Sequence, residues 1–335
     1  MSDNIENKSP YDLLANISSL KFKDKSVVII GAGWMARQYA AALSRMKIKN
    51  VTIISKSKDS LTELCREFGF QLLVGGYEKH IPRMRHMDLV IVATPIHQLL
   101  PAAVLAVRHG QQNILIEKPG SLYHEELISK AKNLKKAKVR VAYNRLLYPN
   151  FHKLKQLVEG DGGITSCKFT FTEWIHTIDF AKESRDVYSR WGIANSLHVI
   201  ATAFDLIGMP KEISAYQRGS LDWHPSGSVF VGSGMTETDI PFSYHADWNS
   251  AGRWGIEVMT KWDSYLLMPL EDLHVCKKGS NNWDKVPFDV SFPDVKHGVA
   301  EELAVMLDDS LALDLVSLEK AAGFNKVAEK IFGYK

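Results

Sequence analysis

A pair of glycines directly after a short β-branched run constrains the fold of this chain more than any other feature of its sequence. Residues 27–30 read VVII, Gly31 and Gly33 follow, and a helical pattern begins at Trp34 and Met35. A strand, a tight glycine turn and a helix in this order are typical of a dinucleotide-binding unit, in which the second glycine lets the pyrophosphate approach the backbone. The first turn of the helix then presents unpaired N–H groups to the anion.

The apolar segments that follow alternate between strand and helix patterns. Strands alternating with helices indicate a parallel, doubly wound sheet with helices on both faces. The first part of the chain is therefore predicted to be an α/β Rossmann domain. Its predicted strands after the first cover residues 51–54, 72–74, 88–94, 113–118 and 139–143, and its predicted helices cover residues 34–46, 59–68, 99–108 and 125–135.

The pattern changes near Tyr148 and Pro149. Runs such as SCKFTFTEW and PFSYHADW alternate aromatic or β-branched residues with polar ones, which predicts an α+β domain with a mostly antiparallel open sheet. Two domains are expected because 335 residues exceed what one core usually organises. The predicted division is an N-terminal extension (1–21), a dinucleotide-binding Rossmann domain (22–147) and an α+β domain for substrate binding and oligomerisation (148–335).

Composition and charge exclude several classes of protein. The 41 basic and 38 acidic residues leave a net charge of +3, which is too small and too dispersed to predict a nucleic-acid surface. The three cysteines are widely spaced and lack a CxxC pair, so neither a disulfide framework nor a metal site is predicted. No apolar run approaches the roughly 20 residues of a membrane span. We expect a cytoplasmic protein with no metal, nucleic-acid or membrane partner.

Residues 55–57 decide which dinucleotide is expected. About 20 residues after the glycines, NAD enzymes usually place an acid on the ribose hydroxyls, whereas this chain has Ser55, Lys56 and Ser57. Their hydroxyl and ammonium groups suit the 2′-phosphate of NADP, and the missing acid removes the charge that would repel it. The alternative interpretation is a solvated turn with incidental lysines. The sequence predicts NADP as the cofactor, with NAD as the second choice.

Two further motifs lie at the carboxyl ends of predicted parallel strands, where ligands bind in this architecture. They are ATP at residues 93–95 and EKPG at residues 117–120, and VAYNR follows at residues 141–145. Together with GxGxxA at residues 31–36, their order and spacing resemble the Gfo/Idh/MocA family of oxidoreductases. That family includes glucose-fructose oxidoreductase, inositol dehydrogenase and several sugar-nucleotide dehydrogenases. The resemblance extends from about residue 26 to the C-terminus.

The resemblance implies roles for the residues of these motifs. Lys118 is expected between the nicotinamide and the substrate, where it hydrogen-bonds the reacting hydroxyl or carbonyl; the alternative is a surface lysine at a strand end. Tyr143 and Asn144 end the last Rossmann strand, where ligand contacts compete with capping and surface roles. The predicted cofactor contacts beyond Gly31, Gly33 and residues 55–57 are Trp34, Met35, Thr94, Pro95, His97, Glu117, Lys118 and Asn144.

His198 is the candidate acid/base of the second domain. The resemblance implies a helix carrying a catalytic histidine at this place, and imidazole exchanges a proton near neutral pH. Many members of the family carry aspartates four residues before and three residues after this histidine, where this chain has Ala194 and Ala201. Asn195 lies on a neighbouring helical face and is a candidate for hydrogen-bonding the substrate. The alternative for His198 is a satisfied core histidine.

Aromatic and charged residues of the second domain form the predicted sugar pocket. An indole stacks on sugar ring carbons, while charged groups bind hydroxyls or a phosphate. The alternative is an aromatic sheet face, and Gly252-Arg253-Trp254 is interpreted as loop and sheet packing. The predicted substrate-binding residues of both domains are Lys118, Tyr143, Trp174, His176, Arg190, Asn195 and His198.

These motifs predict an enzyme that moves a hydride between NADP(H) or NAD(H) and a hydroxyl or carbonyl of a sugar, cyclitol or sugar nucleotide. Lys118 and His198 are the predicted catalytic residues. The alternatives are an imine or enone reductase of the same architecture and a non-catalytic NADP-sensing regulator. Because an open sheet rich in aromatic residues needs covering, we expect a homodimer or homotetramer formed through the second-domain sheet.

Overall fold

The computed structural model describes Leu14, Ile17 and residues 22–335. The predicted N-terminal extension therefore lies outside the described residues, apart from Leu14 and Ile17, which are both buried. The chain divides into two compact units, one comprising Met1–Pro149 with Asp289–Ala321 and the other Asn150–Phe288 with Ala322–Lys335. None of the helices in the described ranges has the length and apolar character needed to cross a membrane.

The first unit contains a six-stranded parallel sheet with the order β3-β2-β1-β4-β5-β6. This order confirms the predicted Rossmann fold, in which ligands bind where the strand order reverses, between β1 and β4. All residues of β1 and β4 are buried, because helices cover both faces of the sheet. The strands are β1 Ser26–Ile30, β2 Asn50–Ser55, β3 Gln71–Val74, β4 Leu89–Val92, β5 Asn113–Glu117 and β6 Lys138–Ala142.

The helices of this unit connect successive strands. In α1, Ala36 and Ala40 are fully buried, and their small side chains allow the helix to lie close to the sheet. Tyr39 is also fully buried on this helix, with its hydroxyl group inside the unit. The helices are α1 Trp34–Arg45, α2 Asp59–Phe68, α3 Tyr77–His80, α4 Ile96–Arg108 and α5 His124–Leu134.

The second unit contains an eight-stranded sheet with the order β14-β13-β12-β11-β7-β10-β9-β8. Its neighbouring strands are antiparallel except for β7 and β10, which run parallel. The strands are β7 Ser166–Phe171, β8 Pro210–Arg218, β9 Val229–Thr236, β10 Pro241–Asp247, β11 Trp254–Met259, β12 Asp263–Leu267, β13 His274–Lys277 and β14 Asp284–Lys285. The helices between Pro149 and β8 are α6 Pro149–Gly160, α7 Arg185–Ser189 and α8 Leu197–Ile207.

One face of this sheet carries the aromatic core of the second unit. Phe169 of β7 lies edge-on to Phe204 of α8, with 5.7 Å between the ring centroids, and Tyr244 of β10 stacks on Phe169 at 5.6 Å. This arrangement confirms the predicted α+β unit with a mostly antiparallel sheet. The helix expected to carry His198 is observed as α8, preceded by a π-turn over Gly192–Ser196.

Strand β9 was not predicted, and its glycines explain why. Gly232 pairs with Tyr244 and Gly234 pairs with Phe242 of β10. A Cβ atom at Gly232 would lie 2.3 Å from the Tyr244 hydroxyl oxygen, and one at Gly234 would lie 2.7 Å from the ring of Phe242. The aromatic rings thus occupy the space above the glycines. Glycine weakens a strand pattern in sequence, although here the cross-strand partners require it.

The segment 289–321 lies in the first unit, whereas the predicted boundary assigned it to the second domain. Its helix α9, Val299–Leu307, is buried along its whole length and packs against α1. Val299 and Leu303 join the same core cluster as Tyr39 and Leu43. An apolar helix pattern predicts burial but does not identify the core that receives the helix, so sequence order alone misplaced this segment. The remaining helix is α10, Leu318–Phe332.

We expect Gly31→Ala to destabilise the protein, because an added Cβ atom would lie 2.2 Å from the carbonyl oxygen of Ala93. The backbone of Gly31 also has a φ of 121°, which L-residues rarely adopt. Strain and overpacking together should lower the free energy of unfolding by about 2–5 kcal/mol. Denaturant-induced unfolding measures this change.

Gly33→Ala is the matched control, since a Cβ atom at Gly33 meets nothing within 4 Å. This variant should unfold within about 1 kcal/mol of the parent protein. Equal stabilities of the two variants would contradict the close approach of Gly31 to β4.

Candidate active site

The glycine turn joins the carboxyl ends of three strands of the Rossmann sheet. The N–H group of Gly31 donates to the carbonyl oxygen of Ile54 at 2.8 Å, and the N–H group of Ala93 donates to that of Ile30 at 2.8 Å. Gly33 is the N-cap of α1, and no described side chain caps this helix end. Its first N–H groups, together with the open space around Gly33, form the predicted anion-binding cradle.

The end of β4 supplies an unpaired polar atom beside this turn. The hydroxyl oxygen of Thr94 is buried and has no hydrogen-bond partner among the described residues. Pro95 is the N-cap of α4, and His97 is exposed with its Nε2 3.2 Å from Nε2 of Gln98. A buried unpaired hydroxyl next to an open glycine cradle fits a bound dinucleotide, which would supply the missing partner.

Lys56 at the end of β2 is accompanied by an acid that sequence reasoning missed. Its Nζ lies 3.6 Å from Oε1 of Glu78 on α3, which follows β3. The N–H groups of Gly75 and Gly76 both donate to the carbonyl oxygen of Ser55, which holds the ends of β2 and β3 together. The pair is 63% and 54% exposed, so it stabilises the fold by little, about 0–1 kcal/mol. Both side chains remain available to a ligand.

Lys296 is a second residue that the sequence motifs did not indicate. Its Nζ lies 4.4 Å from the ring centroid of Trp34 and 3.6 Å from the sulfur of Met35. Trp34 is exposed on the first turn of α1. The segment 289–321 thus brings a positive charge to the helix end where the pyrophosphate is predicted.

Behind the EKP motif lies a buried cluster of acidic and phenolic groups. The hydroxyl of Tyr39 donates to Oε1 of Glu117 at 2.6 Å, and both side chains are buried. Glu302 of α9 is 1% exposed, and neither of its carboxyl oxygens has a hydrogen-bond partner among the described residues. The charge of Glu117 acts on both Tyr39 and Glu302.

Burial dominates the protonation of this cluster. It raises the pKa of Glu302 well above the ordinary value, and the negative charge of Glu117 raises it further, while Lys296 lowers it. Burial also raises the pKa of Glu117, against the hydrogen bond from Tyr39 and the positive charge of Lys118. A carboxyl group in such surroundings retains its proton to higher pH than one in water.

The other predicted residues of the Rossmann unit differ in their surroundings. Lys118 is half-buried directly after β5, joined to Pro119 by a cis peptide bond. Tyr143 is buried, and burial raises the pKa of its hydroxyl. The side-chain amide of Asn144 donates a hydrogen bond to the carbonyl oxygen of His297 at 2.9 Å. This amide N–H group therefore binds the backbone of the segment 289–321. The predicted cofactor contact of Asn144 stays a prediction.

In the second unit, a buried carboxylate organises the turn before α8. Glu173, which follows β7, is 4% exposed. It accepts hydrogen bonds from the amide of Asn195 at 2.9 Å and from the hydroxyl of Ser196. Burial raises the pKa of Glu173, although Ser196, Arg253, Asn195 and Trp191 lower it. π-turns in helices frequently occur at functional sites, and Glu173 fixes this one from outside the helix.

His198 is the second residue of α8 and is buried. Its ring centroid is 6.0 Å from that of Trp254. The guanidinium carbon of Arg253 lies 4.5 Å from the centroid of Trp254 and 4.6 Å from that of Trp174. Trp174 and His198 are therefore linked through Arg253 and Trp254, which sequence analysis had interpreted as packing residues. The ring centroid of exposed His176 lies 6.3 Å from that of Trp174.

Arg190 was predicted to bind the substrate, but in the structure its side chain contacts residues of the C-terminal segment. It is 6% exposed and forms an ion pair with Glu329 at 2.8 Å. Its guanidinium group also lies 4.7 Å from the ring centroid of Tyr334. The hydroxyl of Tyr334 in turn accepts a hydrogen bond from the N–H group of Gly192 at 2.9 Å. These contacts indicate that Arg190 anchors the chain end beside the π-turn.

We expect Glu302→Gln to flatten the pH dependence of stability. Since folding raises the pKa of Glu302, the folded protein binds its proton more tightly than the unfolded chain does, and stability falls as pH rises above about 4.3. Glutamine has the shape of the protonated carboxyl group and no proton to lose. From about pH 5 to about pH 8, the decline in the free energy of unfolding should lessen by up to about 1.4 kcal/mol per pH unit.

Urea unfolding at each pH measures the slope, and Glu125→Gln on the exposed face of α5 is the control. Burial also raises the pKa of Glu301 to about 7, so some decline should remain in the Glu302 variant. Parallel slopes for the parent protein and Glu302→Gln would contradict a protonated Glu302.

Comparisons with known proteins agree with this fold. Among curated proteins, shikimate dehydrogenase (NADP(+)) of Prochlorococcus marinus strain AS9601 is 26% identical over 83 residues, which span 24% of this chain and 29% of that enzyme. The chain therefore matches under a third of the length of that relative.

Several solved structures share the architecture over 92% of this chain. An oxidoreductase from Agrobacterium radiobacter in complex with NAD+, L-tartaric acid and magnesium has a TM-score of 0.75 at 13% identity, covering 96% of that chain. Levoglucosan dehydrogenase in complex with NADH and L-sorbose has a TM-score of 0.74 at 18% identity, also covering 96%. UDP-N-acetylglucosamine 3-dehydrogenase from Acidithiobacillus ferrooxidans has a TM-score of 0.69 at 14% identity, covering 97%. At these identities the likeness is one of fold.

A family model adds sequence-level support for the first unit. Residues 25–145 match the model of the Gfo/Idh/MocA proteins, an oxidoreductase family with an NAD-binding Rossmann fold. The match contains the glycine turn, the ATP and EKP motifs and the strand that ends at Ala142. Residues 25–145 of this chain are therefore similar to the NAD-binding Rossmann domain of the Gfo/Idh/MocA oxidoreductases.

Proposed function

We propose that this chain is a dehydrogenase or reductase that transfers a hydride between NADP(H) and a hydroxyl or carbonyl carbon of a sugar, cyclitol or sugar nucleotide. The observation that carries the proposal is the glycine cradle of Gly31 and Gly33 beside the unpaired hydroxyl of Thr94, with Lys118 after the neighbouring strand β5. The dehydrogenases with the same fold act on levoglucosan and UDP-N-acetylglucosamine by name, which supports a sugar-like substrate.

The cofactor would be held by the groups that converge at the end of α1. The free N–H groups after Gly33 and the ammonium group of Lys296 suit the pyrophosphate, while Thr94 offers a hydroxyl. The bound nicotinamide supplies or accepts the hydride. What the protein contributes is the position of the substrate, the stabilisation of charge on its oxygen and the movement of one proton.

Lys118 is proposed to bind the reacting oxygen of the substrate. Its ammonium group donates a hydrogen bond to the carbinol oxygen, and this bond strengthens as negative charge develops there. The buried carboxyl of Glu117 precedes it, and the positive charge of Lys118 partly offsets the effect of burial, which raises the pKa of Glu117.

His198 is proposed to exchange the proton of the carbinol hydroxyl. Imidazole accepts that proton during oxidation and returns it during reduction. The acids that accompany this histidine in many family members are absent at Ala194 and Ala201. Glu173 supports the neighbouring turn instead, through its bonds with Asn195 and Ser196.

Lys56 favours NADP(H) over NAD(H). Its ammonium group at the end of β2 suits the 2′-phosphate, and Ser55 and Ser57 offer further donors. Glu78 partly offsets this charge at 3.6 Å. Because the pair is exposed and weak, a phosphate dianion competes with Glu78 for Lys56.

Self-association through the second-unit sheet is also proposed. The register places Tyr216, Val231, His245 and Thr170 in one row on the face opposite the aromatic core. Tyr216 is 67% exposed at the end of that row. Exposed aromatic surface on a sheet favours a symmetric partner, consistent with a homodimer or homotetramer.

Substitutions in the pair of Lys56 and Glu78 should change the cofactor preference in opposite directions. Lys56→Ala should weaken NADPH binding about tenfold, which is the loss of one charge-assisted hydrogen bond, and should leave NADH binding unchanged. Glu78→Gln should strengthen NADPH binding, because it removes the negative charge that competes for Lys56. Isothermal titration with each dinucleotide measures both affinities.

Lys49→Ala, at the opposite end of β2, is the control and should alter neither affinity. A parent protein that binds NADH as tightly as NADPH would overturn the assignment of NADP. So would an equal loss of both cofactors in Lys56→Ala.

Lys118→Ala should lower turnover by about 10²–10³ while leaving the affinity for NADPH nearly unchanged, because the proposed bond strengthens only as charge develops on oxygen. Steady-state kinetics on a panel of sugars, cyclitols and sugar nucleotides, combined with NADPH titration, separates the two effects.

Lys132→Ala on the exposed side of α5 should behave as the parent protein. Full activity of Lys118→Ala would remove Lys118 from the mechanism. A parent protein that binds NADPH and turns over no member of the panel would contradict the proposed substrate class.

A further inference from the structure

Arg253 is held in a fixed position by two tryptophans of the second unit. Its guanidinium carbon lies 4.6 Å from the centroid of Trp174 and 4.5 Å from that of Trp254. The indole N–H of Trp174 donates to the carbonyl oxygen of Gly252 at 2.8 Å, which fastens the exposed ring to the loop that carries Arg253. Gly252 has a φ of 141°, a conformation that favours glycine at this turn. The guanidinium group is therefore positioned before any ligand binds.

The hydrogen-bonding edge of this guanidinium is available. Stacking on aromatic rings uses the faces of the group, whereas its five N–H donors point outward in its plane. Throughout the described ranges, no hydrogen bond or ion pair uses the side chain of half-buried Arg253. The positive charge of Arg253 acts on buried Glu173 and lowers the pKa of that carboxyl group. The carboxyl oxygens of Glu173 accept hydrogen bonds from Asn195 and Ser196, and no ion pair within 4 Å joins them to Arg253 among the described residues.

Arg253 and His198, the candidate proton-exchanging residue, both lie next to Trp254. Trp254 contacts the guanidinium group, and the same indole lies 6.0 Å from the ring of His198. A ligand that reaches Arg253 thus lies within the neighbourhood of His198 in the same unit. The aromatic rings on either side offer apolar surface for the carbon face of a sugar.

We propose that Arg253 binds an oxyanion of the substrate, a carboxylate or a phosphate carried by the sugar. Arginine presents paired donors that match both groups, and an arginine already fixed on aromatic rings loses little freedom when it binds. This inference rests on the proposed function and narrows its substrate to acidic sugars. A neutral sugar offers hydroxyl oxygens as acceptors, but it lacks the negative charge and the paired acceptor oxygens that match the donor edge of arginine.

The test measures binding directly, in the full-length protein without cofactor. The probes are D-glucuronate, D-glucose 6-phosphate and D-glucose, and their binding is followed by intrinsic tryptophan fluorescence, since Trp174 and Trp254 flank the site. At least one of the two anionic probes should bind saturably and more tightly than glucose. The stronger of the two identifies carboxylate or phosphate as the preferred group.

Arg253→Gln should weaken the anionic probe about 10–100-fold, the effect of losing one charge-assisted pair, and should not change glucose binding. Arg218→Gln at the exposed end of β8 is the matched control and should leave all affinities unchanged. Arg253→Lys retains the positive charge and the stem and should give an intermediate affinity. If Arg253→Gln disturbs the packing of the two tryptophans, Arg253→Lys still tests whether the guanidinium group binds the anion.

Two outcomes would overturn the inference: anionic probes that bind no better than glucose, or equal affinities in Arg253→Gln, Arg253→Lys and the parent protein. NADPH affinity measured on the same samples separates this inference from the proposed function. NADPH binding without anion binding refutes the role of Arg253 alone, whereas a protein that binds no dinucleotide refutes the proposed function.

Discussion

The close approach of Gly31 to the backbone of β4 is the contact on which the Rossmann unit depends. Because a Cβ atom there would lie 2.2 Å from the Ala93 oxygen, the turn after β1 has no room for another residue. This approach aims the first turn of α1 past the ends of β1 and β4, at the point where the strand order reverses. The free N–H groups after Gly33 and the buried hydroxyl of Thr94 then meet at one edge of the sheet.

The segment 289–321 brings ionisable side chains to this part of the first unit. It contributes Lys296 to the first turn of α1 and buries Glu302 near Glu117. Burying a carboxyl group is costly unless it is hydrogen-bonded or neutral. The raised pKa of Glu302 favours its neutral form, which lowers that cost, and the neighbouring carboxyl of Glu117 interacts with Lys118.

In the second unit, the partners of the buried polar side chains differ from those that the sequence predicted. His198 has no acidic neighbours on its own helix, and the buried acid of this region, Glu173, comes from the end of β7 and bonds the π-turn. Arg190 anchors the C-terminal segment through Glu329, whereas Arg253 is the arginine with an available donor edge. The sequence predicted a substrate-binding role for Arg190 and a packing role for Arg253, and only their tertiary contacts distinguish the two arginines.

Those elements of the fold that have local sequence signals could be predicted without the structure. The glycine turn and the alternation of strands and helices depend on residues close together in the chain, so the Rossmann fold was predictable. The contacts between groups that are distant in the chain became visible only in the folded protein. The pairing of Gly232 with Tyr244, the ion pair of Lys56 with Glu78 and the placement of residues 289–321 depend on contacts between remote segments. Such contacts leave no periodic trace in the sequence, because each is set by packing and not by local backbone preference.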